Sequence, residues 1–172
     1  MTIAAVPRPS PHTPYAFFLA LGMAAVVGTA LGFQYIGGYI PCKLCLEQRI
    51  PYYVGIPVML LATVSAVLRW PAWVTRGLLI VGGLLMAWGL YLGVKHAGVE
   101  WGFWAGRSDC GAGAAPADTG GKGVLDAIDT FVPPSCDKAA WRDPVLQLSF
   151  AGWNAVMSLV LGVAAFRGAL KS

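Results

Sequence analysis

Four stretches of the chain carry no Asp, Glu, Lys or Arg: residues 9 to 42, 50 to 68, 77 to 94 and 144 to 166. Each is at least 18 residues long, enough for a helix rising about 1.5 Å per residue to approach a hydrocarbon core of roughly 30 Å. The pattern predicts transmembrane helices near 15–36, 46–68, 75–96 and 146–166. Between them it leaves a short loop at 37–45, a tight turn around Pro71 and a polar loop over 97–145. Residues 111–121 of that long loop are mostly Gly and Ala and read as flexible. Val124, Leu125, Ile128, Phe131 and Val132 then recur at helical spacing, with Lys122, Asp126 and Asp129 between them. That segment is too short to span and suits either a helix lying in the interface or a small loop helix packed on the bundle. No internal repeat and no second globular domain is visible, so residues 1–172 are expected to form a single membrane domain.

Composition agrees with the pattern: 57% of residues are hydrophobic and only 12% are charged, unlike a soluble domain of this length. The first helix is not preceded by a charged segment and lacks a small-residue cleavage site before Cys42, so a retained span is expected rather than a removed signal peptide. An even number of spans puts both termini on one side. The tails and the 69–76 turn hold Arg8, Arg69, Arg76, Arg167 and Lys171 with no acidic residue, a charge of +5, whereas the opposite side carries −1. Basic residues favour the cytoplasmic face. Cysteine usage argues independently for the same orientation, because disulfides persist on the oxidising side of a membrane and all four cysteines lie away from the termini. The expected fold class is an all-α membrane protein, a four-transmembrane-helix bundle with a long periplasmic loop carrying a short interfacial helix. In a bacterial inner membrane the termini would be cytoplasmic and the cysteines periplasmic.

The four cysteines carry the candidate chemistry. Cys42 and Cys45 form a Cys-Lys-Leu-Cys motif where the second helix begins, and Cys110 and Cys136 lie in the long loop. Helical N–H groups and the positive end of the helix dipole near Cys45 would favour its thiolate. Arg49, four residues on, falls on the same helical face about a turn away. An arginine this close to the apolar region is costly unless partnered; a thiolate or the polar oxygen of a bound electron acceptor would serve. The plain alternative is that Arg49 anchors a helix end and the cysteines are an inert staple. A c-type haem site needs His after the second cysteine, and position 46 is Leu. A zinc site of four cysteines needs a second close pair, so no metal is expected. A bridge between Cys110 and Cys136 would be reachable by a partner protein, or would stabilise the loop by about 3.5 kcal/mol on the chain-entropy model. Four cysteines allow three pairings, and spacing does not rank them.

Three motifs in order resemble the bacterial disulfide-bond formation protein B (DsbB) family. They are Pro41-Cys42-Lys43-Leu44-Cys45-Leu46-Glu47-Gln48-Arg49 followed by Pro51-Tyr52-Tyr53, then His96 to Trp104 before Cys110, and Cys136-Asp137 before Trp141 and Leu148 to Asn154. The resemblance covers nearly the whole chain. It implies a four-helix inner-membrane thiol:quinone oxidoreductase that reoxidises a soluble, periplasmic, DsbA-like thioredoxin-fold protein. Cys110 would form the mixed disulfide with the partner, with Cys136 as its pair. Electrons would then pass to Cys42 and Cys45, and Cys45 would attack or form a charge-transfer complex with the quinone, ubiquinone or menaquinone. Arg49 would stabilise the developing negative charge, His96 matches a family position close to the quinone, and Glu100 could contribute a proton. Tyr52, Tyr53, Trp101, Trp104, Trp141 and Trp153 would line the bilayer boundary, and Pro51 and Pro57 would bend the second helix.

Two other classes fit part of the pattern. A quinone-linked enzyme of the vitamin K epoxide reductase type also uses a four-helix bundle and a Cys-x-x-Cys, but its redox pair would be expected late in the bundle. A non-enzymatic membrane module with structural disulfides would hold its cysteines fixed. Nucleic acid is not an expected partner.

Overall fold

The computed structural model describes residues 12–106 and 136–171. Cys110 and the expected interfacial helix over 124–132 lie outside the described residues. Five helices follow in order: α1 (His12–Tyr35), α2 (Lys43–Glu47), α3 (Ile50–Val67), α4 (Ala72–Glu100) and α5 (Phe150–Leu170). With α2 and α3 taken together as Lys43–Val67, four helices are long and apolar enough to cross a membrane. The four-helix membrane bundle expected from the sequence is therefore the observed fold. No strand occurs among the described residues.

The second span is broken because of Pro51. Proline has no N–H to donate to the carbonyl of residue 47, and its ring collides with that carbonyl. The Gln48 N–H still bonds four residues back, to the Leu44 carbonyl at 3.1 Å, but the Arg49 N–H bonds only three back, to the Leu46 carbonyl at 3.1 Å, and α3 restarts at Ile50. The sequence placed a bend here; the structure shows a separate short helix before it.

Helix α4 runs four residues beyond its expected end. It stops at Gly102, whose φ of +75° is open to glycine and lets the Phe103 N–H return to the Gly98 carbonyl at 2.9 Å. At 29 residues α4 is about 43 Å long, longer than a hydrocarbon core of roughly 30 Å. Its last two turns carry His96 and Glu100. Helix α5 begins later than expected, at Phe150, because Ser149 caps it, accepting from the Gly152 N–H at 3.2 Å.

The helices alternate in direction. His12 at the start of α1 meets the Gly168 carbonyl at the end of α5, 3.0 Å apart. At the other end lie the C-termini of α1 and α4 and the N-termini of α2 and α5. Between them the core is made of Met23, Met59, Met86, Leu79 and Tyr52 with small residues opposite. In lipid, close backbone approach and interhelical hydrogen bonds hold helices together. Tyr52 Oη and Ser158 Oγ are 2.7 Å apart, and Ser65 and Thr75 meet at 2.8 Å. Outward positions such as Phe18, Leu60, Leu84 and Leu159 are exposed and apolar, as a lipid-facing surface requires.

Helix α4 packs most extensively on α5, and Gly93 sets that approach: a Cβ there would lie 2.8 Å from the Ala155 backbone nitrogen. Gly93→Ala is expected to destabilise the bundle by about 1–3 kcal/mol through overpacking. Gly77→Ala, on the same helix with nothing within 4 Å, is expected to cost nothing. Unfolding of both variants in mixed micelles checks the contrast.

Candidate functional site

Cys42 is the N-cap of α2. Its φ of −74° and ψ of 170° are extended, and its sulfur accepts from the Cys45 N–H at 3.4 Å. Helical N–H stabilisation therefore falls on Cys42, not on Cys45 as the sequence suggested. The two sulfurs lie 3.0 Å apart and both are free thiols. The hydrogen bond from Cys45 is the main influence lowering the Cys42 pKa, to about 4, with His96 adding to it and burial opposing it.

The two cysteines look in different directions. Cys45 lines a cavity of about 360 Å³ between α1, α3 and α5, with Val26, Ala30, Phe33, Gln34, Gln48, Arg49, Tyr52, Trp153, Asn154 and Met157 among its other walls. Cys42 is not part of that wall. It is buried instead with Leu44, Val99 and Cys136 in a separate apolar cluster that Cys45 only borders. Cys136 is disulfide-bonded, to a partner outside the described residues. Its sulfur, that of Cys42 and a ring nitrogen of His96 all lie within 4.8 Å of one another.

In the cavity, Arg49 Nη1 donates to Gln34 Oε1 at 2.6 Å. The guanidinium thus has a partner near the apolar region that is neither a thiolate nor a ligand, and Gln34 holds it at the wall. The mouth is packed with aromatic rings: Phe33 meets Phe150 at 4.9 Å, and Trp141 stacks on Phe150 at 5.1 Å. Of the aromatic residues expected at the boundary, Tyr52 and Trp153 line the cavity, whereas Tyr53, Trp101 and Trp104 are exposed elsewhere.

His96 and Glu100 do not line the cavity. They stand behind Cys42, one turn apart on α4. His96 Nε2 is 3.8 Å from Cys42 Sγ and 3.8 Å from Glu100 Oε1, while Nδ1 is 2.5 Å from Gln48 Nε2. With the Gln48 amide donating, Nδ1 accepts and Nε2 carries its hydrogen toward the sulfur. Gln48 also lines the cavity, so one amide joins the cavity wall to the imidazole beside Cys42.

Sequence reasoning passed over Gln48, Gln34 and Asn154. Gln48 carried a usable signal, lying three residues after Cys45 on the same helical face. Asn154 stood in the third motif without a role, and Gln34 carried no signal, since it sits on another span and meets Arg49 only through packing.

A helical membrane bundle with a thiol pair at one helix start and a disulfide against it defines a membrane thiol oxidoreductase. The family model for the disulfide bond formation protein DsbB matches residues 12–167, and the chain belongs to that family. No curated protein and no solved structure matches it.

Removing the Gln48 amide leaves His96 Nδ1 buried without its donor. Gln48→Leu is expected to lower stability by about 1–3 kcal/mol, more than Gln48→Glu, which retains an oxygen able to pair with an Nδ1–H. Denaturant unfolding of the two variants checks this.

Proposed function

We propose that the protein is a thiol:quinone oxidoreductase that reoxidises a periplasmic, DsbA-like thioredoxin-fold thiol oxidase and so generates disulfides de novo. The observation that carries this reading is the split between the two motif cysteines, with Cys42 against the Cys136 disulfide and Cys45 in an apolar cavity beside Arg49. An inert staple has no need of two differently furnished sides.

The cavity suits a quinone head. It falls within the usual size of small-molecule sites and is apolar with a few polar groups from Gln34, Gln48, Arg49 and Asn154. A quinone there supplies a two-electron, two-proton acceptor. The protein's residues do the rest. The partner's thiolate attacks Cys110, breaking its bond to Cys136 and leaving Cys136 as a thiolate. Cys136 attacks the oxidised Cys42–Cys45 pair at the nearer sulfur, that of Cys42. A Cys42–Cys136 bond forms and the Cys45 thiolate is released on the cavity side. Arg49, held by Gln34, stabilises negative charge developing there. His96 acts on the thiol side, presenting Nε2 to Cys42 while Gln48 fixes its ring and Glu100 faces the same nitrogen. Over one cycle a partner dithiol becomes a disulfide, and two electrons and two protons leave with the quinone.

The basic tails and turn favour termini in the cytoplasm, and the cysteines then face the periplasm across a bacterial inner membrane. The long loop with Cys110, and an interfacial helix over 124–132, would meet the partner. The whole chain, residues 1–172, acts as one membrane domain.

Turnover with a reduced thioredoxin-fold thiol oxidase and either ubiquinone or menaquinone tests the reading. Cys45→Ser is expected to abolish quinone reduction, and Arg49→Gln to slow it about 100-fold, with the helical circular dichroism of both variants unchanged. Parent-like turnover in both variants would overturn the proposal.

A further inference from the structure

Spacing along the chain argues against a zinc site, yet the fold assembles the ligands of one. Cys42, His96 and Cys136 come from α2's cap, the end of α4 and the segment before α5, all three are buried, and their ligand atoms lie within 4.8 Å of one another. Cys45 Sγ is 3.0 Å from Cys42 Sγ but lines the cavity, so the three ligands leave the fourth position for water. We infer that the reduced protein holds a soft-cation site, formed by Cys42, Cys136 and His96 with Cys45 beside them, that takes Zn²⁺.

The geometry supports it. Tetrahedral zinc with sulfur at about 2.3 Å and nitrogen at about 2.0 Å sets its ligand atoms roughly 3.3–3.8 Å apart. Cys42 Sγ and His96 Nε2 already stand at 3.8 Å. The remaining closure is on the order of 1 Å. The ring is also oriented as a ligand's is, held at Nδ1 by Gln48 with Nε2 toward the sulfur. Glu100 stands beside the same ring, its Oε1 3.8 Å from His96 Nε2, as an outer-shell neighbour of a ligand histidine does.

The site is gated by redox state. While Cys136 is disulfide-bonded its sulfur is not a thiolate, and the ligand set is incomplete. Reduction opens it: a dithiol partner transfers two electrons to the disulfide and becomes a disulfide itself. Zinc then displaces two thiol protons to solvent as two Zn–S bonds form, giving a neutral Zn(SR)₂ core in a low-dielectric cluster. Cys42 and Cys136, so bonded, cannot return to a disulfide, and the cation arrests the protein in its reduced form. Nothing in this depends on which acceptor takes the electrons.

The test compares the full chain in detergent micelles, oxidised, with the same chain reduced by a phosphine. The phosphine becomes its oxide with oxygen from water as the disulfides become thiols, and it is removed before metal is added. Zinc affinity is measured by competition with a chromophoric chelator, and Co²⁺ reports the ligands by its spectrum. The reduced chain is expected to bind one Zn²⁺ about 100-fold or more tightly than the oxidised chain. Its Co²⁺ form is expected to show thiolate-to-cobalt charge transfer with intense tetrahedral visible bands. Cys136→Ser and His96→Gln are each expected to weaken binding about 100-fold, the upper end of effects seen even for outer-shell partners. Equal binding by both redox states, parent affinity in Cys136→Ser, or a Co²⁺ spectrum without thiolate bands would each overturn the proposal. The redox comparison uses the unaltered chain, so a poorly folding variant does not decide the outcome.

Discussion

Pro51 withholds one hydrogen bond, and the arrangement of the redox end depends on it. Without an N–H to meet the carbonyl of residue 47, the second span tightens at Arg49, whose N–H bonds only three residues back, and divides into α2 and α3. The N-cap of α2, Cys42, lies toward the end of α4, while Cys45 faces the space between α1, α3 and α5. A continuous helix would also separate positions 42 and 45 by less than one turn. At the break Gln48 and Arg49 keep αR backbone angles, and Gln34 holds the Arg49 guanidinium there.

Around that joint the buried polar groups form one connected set. Gln48 reaches from the cavity wall to His96, His96 reaches to Cys42 and Glu100, and Cys42 touches both Cys45 and the Cys136 cluster. Polar groups in a low-dielectric setting are stabilising when satisfied and costly when not. The unpartnered Glu100 oxygen is the exception, and it lies where the protein's charge changes as thiols are oxidised and reduced.

Much of this was legible in the sequence. Charge-free windows located all four spans, because a helix in lipid must be apolar over its length whatever it packs against. The cysteine motif and Arg49 were legible because their relation is local, within two turns of one segment. The four extra residues of α4 were missed because the charge-free window closes at Lys95, whereas the αL stop is made at Gly102. The grouping of Cys42, His96 and Cys136 was not legible at all. Those residues are separated by tens of positions, and only the packing of α2 against α4 brings them together. The placing of His96 and Glu100 behind the thiols, instead of in the cavity, belongs to the same kind of information.

The division of labour between the two motif cysteines is the centre of the account, and disulfide mapping tests it most directly. In the Cys45→Ser, Cys110→Ser double variant, mild oxidation is expected to give a Cys42–Cys136 bond in most chains, identified by mass spectrometry of linked peptides. In the Cys42→Ser, Cys110→Ser double variant, Cys45 and Cys136 are expected to remain largely unlinked, because Cys45 faces the cavity. Equal linkage in the two variants would contradict the account.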